Sequence, residues 1–194
     1  MKKYTITTFI ALSLGQLNAS TYVSGTGTSA DPILLDVGVN LTANVVLGNG
    51  ATLITPGGGG IFSDLDTGGY ILINPGETVE ITFNSAFTGE VTLFDVDSNE
   101  LNGTNQDQIT IRDSAGTAIT VIDTVGDITA NNDPGLTNDA QTASISSQSF
   151  ISLEHTGNFG STALTFEGIS QIPEPSSSLL GAIGGLAFLI RRKR

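Results

Sequence analysis

Along the middle of the chain, apolar side chains alternate with threonines and acids at every second position. Val79, Ile81 and Phe83 enclose Glu80 and Thr82, and the pattern recurs at Val91–Thr92–Leu93, Ile109–Thr110–Ile111 and Leu164–Thr165–Phe166. A period of two sends one set of side chains to a core and the other to water, which is the signature of a half-buried strand. β-Branched residues dominate these runs, as a pleated surface favours. The alternation predicts strands over 33–37, 41–47, 70–73, 77–84, 90–96, 107–112, 117–123, 150–154 and 163–169. Turn chemistry separates them at Gly48–Asn49–Gly50, Pro56 with Gly57 to Gly60, Asn74–Pro75–Gly76, Asp113 to Gly116 and Asn131 to Gly135. Each supplies a positive or a preset φ where the chain reverses. Roughly ten or eleven short strands at this spacing predict an all-β fold, an antiparallel β-sandwich of jelly-roll type. Gly25 to Asp31 and the glycine-rich Pro56 to Gly69 read as loops.

The two ends break this pattern. Lys2 and Lys3 precede a mostly apolar run to Leu17, and Leu17–Asn18–Ala19 offers a small residue for cleavage. This is the three-part grammar of a secretory signal peptide over residues 1–19, cut between Ala19 and Ser20 by signal peptidase after engaging the secretion machinery. At the other end Ile172 leads into Pro173–Glu174–Pro175 and three serines. An uncharged stretch, Leu179 to Ile190, then runs to Arg191–Arg192–Lys193–Arg194. As a helix, 179–190 would rise only about 18 Å, short of a comfortable bilayer span. It suits transient membrane insertion as a short transmembrane helix, with the basic end held on the cytoplasmic side. The prolines keep the segment before it extended and open to a protease. The expected organisation is a signal peptide (1–19), a secreted domain (20–172) and a C-terminal signal (173–194).

The Pro173–Glu174–Pro175 motif, the apolar run and the basic terminus, in that order, resemble the PEP-CTERM sorting signal of Gram-negative bacteria. The resemblance covers about the last 22 residues. It implies recognition by an exosortase-type membrane protease that cuts near the motif. It also implies export through the inner membrane and release to the cell surface or the extracellular polymeric matrix.

Charge narrows the partners. The chain carries 19 acids and 7 bases, but six of those bases lie at the two ends. Residues 20–172 hold 18 acids against Arg112 alone, a net charge of −17. Such a surface repels phosphate backbones, so nucleic-acid binding is excluded as a function. Cysteine is absent, which removes disulfides, thiolate metal sites and thiol nucleophiles.

The acids suggest one metal. Asp95, Asp97 and Asn99 stand two apart, with Asp107 following, and oxygen ligands in this pattern can converge on Ca²⁺. Glu100 and Gln106 occupy the positions where an EF-hand needs Gly and Glu, so the expected calcium site lies at a sandwich edge. Asp64 and Asp66 form a second, sparser D-x-D loop. His155, beside Glu154 near a strand end, is expected as a partly exposed surface residue, and no motif supplies partners for a catalytic triad. Arg112 is expected to pair with a carboxylate. Tyr70 is expected to pack in the core or at its rim, with sugar stacking the alternative. These features predict a non-catalytic exported protein with a structural or adhesive role in extracellular polysaccharide. The alternative is a Ca²⁺-dependent carbohydrate-binding module, and a polysaccharide-acting enzyme ranks third.

Overall fold

The computed structural model describes residues 18–38, 40–62, 65, 68–96, 107–123, 140–158 and 160–172. Residues 1–17, the Asp64, Asp66, Asp97 and Asn99 positions, the 131–135 turn, and the tail from Pro173 through 179–190 to Arg194 lie outside them. Within the described residues the protein is all-β and antiparallel, and no helix there is long and apolar enough to cross a membrane.

Eleven strands form: β1 (Asn18–Ala19), β2 (Thr21–Ser24), β3 (Ile33–Gly38), β4 (Leu41–Gly48), β5 (Thr52–Ile54), β6 (Tyr70–Ile73), β7 (Thr78–Phe94), β8 (Gln108–Arg112), β9 (Ala118–Asp123), β10 (Gln141–His155) and β11 (Thr162–Gln171). Two departures from the predicted pattern organise the rest. The expected strands 77–84 and 90–96 are one 17-residue strand, β7. The expected strand 150–154 is the last third of β10, whose Ser-rich first part pairs with β7 from Gln141↔Leu93 to Gln148↔Phe87. Ala143 and Ile145 keep period-two burial through that polar stretch.

The long strands change partners along their length. β7 pairs with β4 over Thr78 to Phe83 and with β11 over Gly89 to Phe94, while β10 lies along its other side. The register slips where the partner changes, between Ile145 and Phe150. Ser147 adopts a φ of 55° there, and its N–H donates to Thr88 Oγ1 at 3.1 Å. One wing carries the order β2-β3-β4-β7-β10-β8-β9, and the other places β11, β6 and β5 beside the second half of β7. Both wings feed one core: Ile33, Leu35 and Val45 from the first wing with Ile71, Leu93 and Phe166 from the second.

Tight turns follow the sequence. Pro75 and Gly76 close a turn in which Glu77 N–H donates to Asn74 O at 2.9 Å. Gly76 sits at φ 84°, where a side chain would be strained. Asp113 Oδ1 accepts from the N–H groups of Ala115 and Thr117, 2.9 Å each, and closes the β8–β9 hairpin.

The N-terminal strands dock onto the last one. Asn18 pairs with Gln171 and Ala19 with Ser170, Ser20 N–H donates to Ile169 O at 3.0 Å, and the Ser20 hydroxyl donates to Phe166 O. Ser20 is fully buried, and the Tyr22 ring stacks on Phe166 at 5.4 Å. The strand that leads into the C-terminal tail is therefore paired with the residues flanking the expected signal cleavage point.

Candidate functional site

The outer face of the β6–β11–β7 wing carries a second, smaller apolar cluster. Tyr70, Leu72, Phe94 and Ala163 point away from the main core, alternating with Ile71, Ile73, Leu93 and Leu164, which point into it. Phe62 and Leu65, from the segment between β5 and β6, pack onto this outer face. Phe62 anchors that segment: its N–H donates to the Tyr70 hydroxyl at 3.0 Å, and the two rings lie 5.6 Å apart. Tyr70 is fully buried, so it packs as expected and presents no stacking surface to a sugar.

A groove of about 450 Å³ opens on this face, lined by Leu65, Gly68, Gly69, Thr92, Phe94, Thr165, Glu167 and Gly168. A bulge in β11 makes it. Leu164 pairs with Leu93 and Ile169 with Val91, so the four residues Thr165 to Gly168 stand opposite Thr92 alone. Bulges of this kind interrupt pairing and re-aim side chains beside functional sites. Thr165 Oγ1 closes the excursion by accepting the Gly168 N–H at 3.0 Å. Gly168 is required by contact, since a Cβ there would fall 2.5 Å from Thr92 O.

The groove combines unlike groups. Phe94 and Leu65, both half-buried, give apolar surface. Thr92 Oγ1 lies 2.9 Å from Thr142 Oγ1, and Thr165 is nearly buried. Glu167 is exposed, and a Cβ on Gly68 would come within 3.4 Å of its Oε1. Arg112, the sole Lys or Arg in residues 20–172, is committed elsewhere, with Nε 3.1 Å from Glu154 Oε2. That pair fulfils the expectation for Arg112 and leaves the groove without a basic side chain from the domain. The arrangement suits neutral ligands that donate hydrogen bonds and carry an apolar face. It disfavours anions.

The acidic residues singled out in the sequence fall differently. Asp95 follows Phe94 directly, at φ 57°, just past the end of β7. Asp107 is fully buried, and His155 Nε2–H donates to its Oδ1 at 3.1 Å. A Cβ on Gly160 would fall 2.9 Å from either carboxylate oxygen, so the backbone closes over the group. Asp97 and Asn99 lie outside the described residues, among which no three His, Asp or Glu side chains gather to hold a metal ion. The expectation of a partly exposed His155 is corrected, since it is only 1% exposed. Its backbone bonds Gly76 and Glu77, and its ring continues the inward face of Ile151 and Leu153. The groove itself escaped the sequence reading. The signal for it was Glu167–Gly168 breaking an alternating run, since Gly inside a strand pattern marks a bulge.

No curated protein and no solved structure matches the chain significantly. One family model does match, and its span begins at the end of β11. Residues 171–194 match the model of the PEP-CTERM protein-sorting motif, so the tail that leaves the sheet at Gln171 carries a PEP-CTERM sorting signal.

Proposed function

We propose that the chain is an exported, non-catalytic protein with a structural or adhesive role at the cell surface or in the extracellular polymeric matrix. The match of residues 171–194 to the sorting motif carries this reading. The signal peptide directs the domain across the inner membrane, the 179–190 segment pauses there, and an exosortase-type protease cuts near Pro173–Glu174–Pro175. The domain is read as a β-sandwich of jelly-roll type, which the sharing of one core by both wings supports. The non-catalytic reading draws support from the sole histidine being enclosed with Asp107.

Fractionation of cells producing the wild type and a variant with Pro173, Glu174 and Pro175 all changed to Ala tests it. The wild type should be recovered from the matrix or medium, and the variant should stay in the membrane fraction. Equal distribution of the two would overturn the reading. Calcium-dependent carbohydrate binding is the second reading. It draws on Asp95 directly following Phe94 at the groove, and it requires binding that a chelator abolishes.

A further inference from the structure

We propose that the groove at the β11 bulge binds a neutral pyranose residue of an extracellular polysaccharide by direct contact with the protein. The inference rests on the matrix reading above and adds the site and the ligand class. Its volume, about 450 Å³, falls within the range of small-molecule pockets. A pyranose presents an apolar C–H face and a rim of hydroxyls, and the groove offers a counterpart to each. Phe94, projecting outward from β7 beside Leu65, provides the ring on which the C–H face packs. Glu167 accepts from sugar hydroxyls, as charge-assisted bonds that no domain base competes for. Thr92 and Thr165 keep unused hydrogen-bonding capacity after their contacts to Thr142 and Gly168. Gly68 puts no side chain between the groove and the Glu167 carboxylate, since a Cβ there would come within 3.4 Å of Oε1.

Other ligand classes fit less well. An anionic sugar or a phosphate would meet Glu167 and a domain of charge −17. A purely apolar ligand would bury the Glu167 carboxylate and the threonine hydroxyls without partners. Ca²⁺ takes six to eight oxygens, whereas among the described residues the groove lining contributes one carboxylate. The site is built on the long-range pairing of β7 with β11, and Phe62 beside it is tied to β6 through the Tyr70 hydroxyl.

The test is affinity electrophoresis of the full chain, in mild detergent with EDTA, through native gels containing dextran, galactomannan, xyloglucan or the anionic alginate. At least one neutral polymer should retard the protein, and alginate should not. Glu167→Gln and Phe94→Ala should each weaken retardation by about tenfold, the loss of one good contact. Val121→Thr, on the distant edge strand β9, should leave it unchanged. Phe94 also packs in the outer cluster, so Glu167→Gln, isosteric and exposed, is the decisive variant. Retardation by no neutral polymer, by alginate alone, or equally for wild type and Glu167→Gln would overturn the proposal. Should the wild type still depend on its tail for recovery from the matrix in that case, the site is wrong and the matrix reading stands. Groove binding without tail-dependent release would have the opposite meaning.

Discussion

Asp107 and His155 show how one residue's role changes with its surroundings. In the sequence Asp107 closes an acidic run and looks like a ligand for a hard cation. In the fold it is enclosed, with its Oδ1 bonded to His155 Nε2, while His155 Nδ1 is buried without a partner. A buried polar group that loses its partner costs the full desolvation of that group. Asp107→Ala leaves both ring nitrogens unpaired and should destabilise the protein by about 1–3 kcal/mol, read from the midpoint of urea unfolding. A change below about 0.5 kcal/mol, the scale of a surface substitution, would mean that the pair is structurally idle. The burial of His155 was legible, because it shares parity with Ile151 and Leu153 on one strand face. Glu154 drew the eye instead, and it faces outward to Arg112. The partner Asp107 was not legible, since 48 residues separate it from His155 and only the pairing of β8 with β10 brings them together.

At the scale of elements, period two located nearly every central strand, because these strands bury one face and wet the other. It failed where pairing rather than hydrophobicity holds the strand. The first part of β10 is Ser- and Gln-rich, and it forms on the template of β7. The merging of two predicted strands into β7 escaped because the alternation of apolar and polar residues lapses between Asn84 and Gly89, yet the chain runs extended through it. The bulge in β11 escaped because Glu167–Gly168 interrupts the alternation only briefly, between Phe166 and Ile169, while four residues come to face one. The N-terminal strands carry a further consequence for processing. The Ala19–Ser20 bond lies inside paired backbone, with Ser20 buried and its N–H bonded to Ile169 O. Proteases need an extended and accessible segment, so cleavage at this expected site would have to precede the docking of β11. Folded full-length precursor should resist purified signal peptidase, and urea-unfolded precursor should be cut after Ala19. Equal cleavage of the two would show that the β1–β11 pairing gives no protection.

For the whole molecule, charge and topology point the same way. A domain of net charge −17 with one base is poorly matched to nucleic acid or an anionic membrane surface, and well matched to neutral polymers and water. Both chain ends leave the sheet side by side, Asn18 opposite Gln171, so the two expected membrane-inserting segments flank one place on the domain. The C-terminal sorting signal was legible in the sequence because such signals are local and linear, and the match over residues 171–194 agrees. The groove was not, because Leu65, Phe94 and Glu167 come from three distant segments. Export followed by a cut at the C-terminal signal is decided by the intact mass of the protein recovered outside the cell. The expected mass lacks residues 1–19 and ends near Pro173–Glu174–Pro175, without the apolar run and basic terminus. A mass that still includes residues 176–194 would contradict that cut.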